Sequence, residues 1–160
     1  METDVPLTLE DKANNDETWK HIDNVIKLLT VVQSKIAERM LTHDRSKLDS
    51  PEVQYFTKFN SQLKALTFRS PEYEANLNNL RPALIHHYAN NRHHPEFHKN
   101  GINDMTLIDL VEMLCDWYAS SKRQHDGNIR FSIEKNREKY NISDQLIRIF
   151  ENTIKELDAK

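Results

Sequence analysis

Glycine occurs only twice in this 160-residue chain, at Gly101 and Gly127, and proline five times. A β-sheet protein of this length needs many tight turns, and the favoured hairpin turns rely on residues that reach positive φ, glycine above all. The chain is therefore expected to be all-α. Hydrophobic residues make up 38% of it and charged residues 29%, apolar enough for a core rather than for disorder. A chain of this size buries roughly 70% of the surface its unfolded form exposes, so neither a disulfide nor a metal is needed to keep it folded.

Residues 1–16 are polar and lack an apolar stripe, and read as an N-terminal arm; residues 17–160 read as a single compact helical domain of about six to seven helices. Trp19, Ile22, Val25, Ile26, Leu29, Val32, Ile36 and Met40 recur at helical spacing, as one long helix or two consecutive ones ending near His43-Asp44. Ser50-Pro51 and Ser70-Pro71, each followed by glutamate, are helix-start signals. The first opens a helix with Val53, Phe56, Phe59, Leu63 and Leu66 on its apolar positions, the second one with Tyr73, Leu77 and Leu80. Pro82 should kink or restart the chain before His86-His87. Asn90-Asn91 and Pro95 predict a break, with a loop from about Arg92 to Asp104. Helices are expected from Met105 to about Arg123, from Ile129 to about Tyr140 and from Ser143 to about Leu157, with a turn at Asp126-Gly127-Asn128. Trp19, Phe56, Phe68 and Phe131 suit either the core or a subunit interface, which leaves room for a homo-oligomer.

The formal charge of −3 and the absence of a basic run argue against a dedicated nucleic-acid binder. The single cysteine, Cys115, has no partner for a disulfide or a zinc finger and reads as an inert core thiol. The first thirty residues hold no apolar signal core, and no run approaches the ~18 apolar residues of a membrane span. A soluble, cytoplasmic protein is expected.

Histidine is the compositional anomaly. There are eight, and five of them lie between His86 and His98. With His43-Asp44 and the acids Asp109, Glu112 and Asp116, they give three concentrations of metal-ligating side chains. At about 100° per residue, Glu112, Asp116 and Asp109 fall within roughly 60° of one another on their helix, an acidic stripe that shows only acids until Arg123. On one continuous helix His87 and His94 would stand about 10 Å apart, too far to share an ion. The break expected between Asn90 and Pro95 lets the chain fold His93 or His94 back toward His87.

His43-Asp44-Arg45-Ser46-Lys47, at the end of an apolar helix, resembles the signature of the HD-type (His-Asp) metal-dependent phosphohydrolases, in the form with lysine three residues after the aspartate. A later isolated histidine (His87), a His-His pair followed by glutamate (His93-His94-Pro95-Glu96) and a distal helical aspartate (Asp116) are similar, in the same order, to the remaining ligands of the multi-metal members. Asn91-Arg92-His93-His94-Pro95-Glu96, together with the stretch from Asp109 to Trp117, also resembles an uncharacterised phage and bacterial family known only as a domain of unknown function. HD enzymes take a further histidine from a preceding helix, commonly thirty or more residues upstream. Here the candidate is His21, and 43 − 21 = 22 positions of straight helix would put about 33 Å between it and His43. His21 therefore joins the site only if the chain turns near Thr30 to Ser34. The proline inside His93-His94-Pro95-Glu96, and the absence of a Gly-Tyr-Pro signature, argue against cyclic-dinucleotide hydrolysis.

The resemblance implies one or two divalent ions (Mn, Fe, Ni, Co, Zn or Mg) held by His43, Asp44, His87, His93, His94 and Asp116, with His21 conditional. It implies Asp44 as a bridging group, Lys47 and Arg92 as binders of substrate phosphate, and Glu96 or Glu112 as an orienting or proton-accepting carboxylate. The expected activity is hydrolysis of a nucleotide or related phosphoester by metal-activated water. Two other readings stay open: a non-catalytic ligand- or protein-binding factor, and an oxygen-dependent di-iron enzyme, although the paired Glu-x-x-His motifs of the latter are missing. If phage-encoded, the protein would act in the host cytoplasm.

Overall fold

A computed structural model describes the backbone of residues 6–65, 71–123 and 127–159, and the side chains of these except 60–65, 73, 74, 76 and 77. Leu66, Phe68, the Ser70 cap and Asp126 lie outside the described residues, as do the side chains of Leu63, Tyr73 and Leu77. Among the described residues there are no strands, and seven α-helices carry the fold. They are α1 (Leu9–Thr42), α2 (Glu52–Ala65), α3 (Pro71–Asn79), α4 (Arg81–Asn90), α5 (Leu107–Lys122), α6 (Ile129–Tyr140) and α7 (Asp144–Asp158), with short 3-10 turns at Arg45–Leu48, Pro95–Phe97 and Gly101–Asp104.

The chain divides into two compact units, Met1–Leu41 and Thr42–Lys160. The first is α1, which begins inside the stretch expected to be an arm. Thr8 explains that start: its hydroxyl accepts from the Asp11 backbone N–H at 3.1 Å, and the Asp11 carboxylate accepts from the Thr8 N–H at 2.8 Å, so a capping box opens the helix without any apolar stripe. α1 then runs unbroken to Thr42 and no turn forms near Thr30 to Ser34. Trp19 is 66% exposed.

The core of the second unit lies among α5, α6 and α7, where Met113, Leu114, Ile129, Ile133, Ile142, Ile147, Phe150 and Ile154 are buried together. Capping sets where these helices begin. Thr106 accepts from the Asp109 N–H while Asp109 closes a capping box on Thr106; Asn128 and Ser143 cap α6 and α7. Asn141, at φ 50°, ends α6 in the left-handed region that Asn tolerates. Pro82 restarts the chain: α3 stops at Asn79 and α4 begins at Arg81, with the proline in its first turn. Phe56 is half-buried and Phe131 is 67% exposed.

Cys115 corrects the expectation of a core thiol. It is exposed, sharing the outward side of α5 with Leu107 and Val111 at four-residue steps, and partial burial with the nearby Glu112 charge raises its thiol pKa. No helix among the described residues is long and apolar enough to cross a membrane.

Candidate metal centre

The polypeptide leaves α1 through His43 and turns at Asp44, whose φ of 56° places it in the left-handed region, unusual for a residue with a side chain but more accessible to Asp than to most. The 3-10 turn at Arg45–Leu48 follows at once. α4 delivers His87, which is 1% exposed. At Asn91 the backbone becomes extended, and the loop beyond it brings His93 and His94 back. The expected break thus forms, and His94 Nε2 comes within 2.8 Å of His87 Nε2. α5 supplies Glu112 and Asp116, one turn apart on the acidic stripe.

Three possible ligand groups result, and Asp44 is in two of them. The first is Asp44, His87, His93 and His94; the second is His43, Asp44 and Asp116; within each, the candidate ligand atoms lie within 4.8 Å of one another. Asp44 divides its oxygens between them. Oδ1 is 3.2 Å from His87 Nε2 and 3.4 Å from His93 Nε2, whereas Oδ2 is 3.6 Å from His43 Nε2. Asp116 Oδ1 lies 3.8 Å from the same His43 nitrogen. Atoms about 2.0–2.2 Å from a shared ion stand roughly 3–4.4 Å apart, so these spacings suit coordination.

The buried polar atoms make the same point. Asp44 Oδ1 and His93 Nε2 are buried without a hydrogen bond although they lie 3.4 Å apart. Buried groups of this kind are normally satisfied, and imidazole nitrogen facing carboxylate oxygen is a donor set for Zn, Mn, Fe, Co or Ni.

The opposite ring edges are held by carboxylates. Glu112 Oε1 is 3.0 Å from His43 Nδ1 and 3.1 Å from His93 Nδ1, so one oxygen spans a histidine from each group and leaves both Nε2 atoms facing Asp44. These three residues also form a possible ligand group in their own right. On the His87 side, Nδ1 meets Glu52 Oε2 at 2.9 Å.

The clustered carboxylates and imidazoles shift one another's protonation. The Glu112 hydrogen bond raises the His43 pKa; burial opposes the rise, and the Asp44 and Asp116 charges reinforce it. Burial is the largest influence on Asp44 and favours protonation, but the neighbouring His87 ring and the Lys47 ammonium outweigh it and hold the carboxyl well below its usual range. Lys47 Nζ lies 2.5 Å from Asp44 Oδ2. His94 is pushed down to about 3 by burial and by its neighbours His93 and His87, which keeps it neutral at pH 7.

Three residues expected at the site are not among the converging groups. His21 is exposed on the unbroken α1, which lacks the turn its inclusion required. Arg92 is engaged by Asp109, through Nε at 3.2 Å and Nη2 at 3.0 Å, so its guanidinium ties the histidine loop to the start of α5. Glu96 accepts from Lys139 Nζ at 2.8 Å and from the Tyr140 hydroxyl at 2.9 Å, contacts between residues more than forty positions apart that no local motif announces. Conversely, sequence reasoning passed over Glu52, Ser46 and Asn91. Glu52 directly follows the Ser50-Pro51 helix-start signal, where glutamate is common for reasons unrelated to metal.

A family model described as "Family of unknown function (DUF5662)" matches residues 10–156. No curated protein and no solved structure matches the chain.

Proposed function

We propose that this chain, which belongs to the DUF5662 family of unknown function, is a metal-dependent phosphohydrolase acting on a nucleotide or related phosphoester. The observation that carries the reading is the division of Asp44 between two ligand groups, one oxygen toward His87 and His93 and the other toward His43. A carboxylate so placed suits a pair of ions, and the order of the ligands along the chain is that of the HD-type enzymes it resembles. When bound, divalent ions would supply an acidified water as nucleophile and neutralise charge on the phosphate. The protein's part is to present imidazoles at fixed orientation and to supply a cation for the substrate. His94, whose pKa is depressed, is neutral at pH 7, and Glu112 orients His43 and His93. Lys47, with its side chain 39% exposed and its ammonium on Asp44 Oδ2, stands where a substrate phosphate would approach.

Protein purified without chelator is expected to contain Mn, Fe, Co, Ni or Zn by element analysis, and to hydrolyse phosphoesters in a screen with added divalent metal. Absence of both bound metal and turnover in every metal tried would overturn the reading; metal without turnover would leave a non-catalytic metal protein. Lys47→Met is expected to lower turnover about a hundredfold, the scale for removing a donor that faces developing charge. Its metal content should stay unchanged, since the Lys47 nitrogen carries a proton and is no ligand. Loss of metal in this variant would reassign Lys47 to the architecture of the centre.

A further inference from the structure

We infer that Glu52 is a positioning residue of the metal centre, fixing which nitrogen of His87 faces the ions; the inference rests on the metal-site reading above. Glu52 is the first residue of α2 and 0% exposed, a place where an unpaired carboxylate would be costly. It lies between two consecutive residues of α4. Oε1 is 2.7 Å from His86 Nδ1 and Oε2 is 2.9 Å from His87 Nδ1. Successive helical side chains point about 100° apart, so one carboxylate serves both only by sitting between them.

The contacts of the two ring nitrogens then assign the tautomer of His87. Asn91 Nδ2 is 3.0 Å and Ser46 Oγ 3.2 Å from His87 Nδ1, but the two Asn91 N–H groups are taken by the His87 carbonyl and the Ser46 hydroxyl, each at 2.8 Å, and the nearest atom to Nδ1 is Glu52 Oε2. Each ring nitrogen faces a carboxylate oxygen, Nδ1 that of Glu52 at 2.9 Å and Nε2 that of Asp44 at 3.2 Å. The shorter, fully buried Glu52 contact assigns the proton to Nδ1, while Asp44 already has the Lys47 ammonium as a partner. In the neutral ring the lone pair is then on Nε2, the atom 3.2 Å from Asp44 Oδ1 and 2.8 Å from His94 Nε2. His86, with its side chain 39% exposed, gives Glu52 a second donor toward the surface, so the buried charge has two partners. Glu52 stands to His87 as Glu112 stands to His43 and His93.

The test is Glu52→Gln, which preserves size but offers one acceptor and one N–H where two imidazoles need acceptors. In the metal-free wild type, long-range proton–nitrogen correlation spectra of histidine-labelled protein should show His87 in the Nδ1–H form. In folded Glu52→Gln that form should be depleted, and Mn or Zn affinity by titration calorimetry should fall roughly 10–100-fold, the cost of losing such a partner. Glu52→Asp, which keeps the charge, should recover part of the loss. A folded Glu52→Gln with wild-type affinity overturns the inference and leaves Glu52 as a pin between α2 and α4. Should that variant not fold, the wild-type spectrum decides, and an Nε2–H form of His87 overturns it. A wild type that binds no metal while His87 shows the Nδ1–H form would refute the phosphohydrolase reading and leave the tautomer assignment intact.

Discussion

Asp44→Asn is expected to cost at least a hundredfold in metal affinity, beyond the 10–100-fold typical of a residue one step removed from the ion, and to reduce phosphoester hydrolysis to background. Asparagine matches aspartate in shape and tolerates the left-handed backbone that Asp44 adopts at φ 56°, so the turn after His43 should survive. What changes is charge and donor count. An amide has one acceptor oxygen, and its NH2 must then face either Lys47 or the His87 and His93 nitrogens, where Asp44 now turns an oxygen to each side. Asp44→Ala would confuse the result, because a β-carbon residue without a local hydrogen bond adds about 1–2 kcal/mol in that conformation. Element analysis after dialysis, beside circular dichroism to show that the helices persist, reads the outcome. A folded Asp44→Asn protein with full metal content and turnover would mean that Asp44 does not join the two ligand groups.

Much of this cluster of side chains is legible in the sequence because its signals are local. His43-Asp44 adjoins a helix end, the break after Asn90 is set by asparagines and a proline, and Glu112 and Asp116 share a face through helical periodicity alone. Those features depend on a few neighbouring residues, and the structure brings them together as spaced. The helical class was legible for the same reason: a chain with two glycines lacks the turns of a sheet, and caps such as Thr106 and Ser143 act within three residues.

The features that escaped are those whose partner lies far along the chain. Glu52 meets histidines 34 and 35 positions away, and nothing in Ser50-Pro51-Glu52 separates a buried carboxylate from an exposed helix-start acid. Arg92, which the resemblance implies as a phosphate binder beside Lys47, is engaged by Asp109, 17 positions on. Cys115 was misread for a different reason. The apolar residues of α5 cover most of its circumference, so periodicity could not say which edge of that broad arc faces solvent. His21 failed on a single local fact, the continuity of α1 through residues 30–34, and the lack of any glycine or proline there already pointed to it.

The Arg92–Asp109 pair predicts a large effect on stability rather than chemistry. Asp109 is 0% exposed, and its carboxylate accepts hydrogen bonds from Arg92 Nε and Nη2, from the Thr106 N–H at 3.0 Å and from the Thr106 hydroxyl at 2.8 Å. Asp109→Ala would strand the Thr106 donors and the Arg92 fork together. Breaking a buried pair costs about 3–5 kcal/mol, and because the Arg92 side chain is 41% exposed and can be rehydrated, the lower end, about 3 kcal/mol, is expected. For a domain of this size that lowers the melting temperature by roughly 6–12 °C. Burial raises the Asp109 pKa, and the Arg92 and Thr106 hydrogen bonds more than reverse it, leaving it below the unfolded 3.8. With the folded value depressed, the stabilisation is present above pH 3.8 and is lost as the pH falls through the folded pKa. Asp109→Asn, which cannot titrate, should therefore be less stable than wild type at pH 7 and approach it as the medium is acidified below 3.8. Thermal melts of the two across that range read the effect; parallel curves would show that the carboxylate charge contributes nothing. The functional consequence follows from the covalent chain: His93 and His94 directly succeed Arg92, so Asp109→Ala should also weaken metal binding, although Asp109 belongs to none of the three ligand groups.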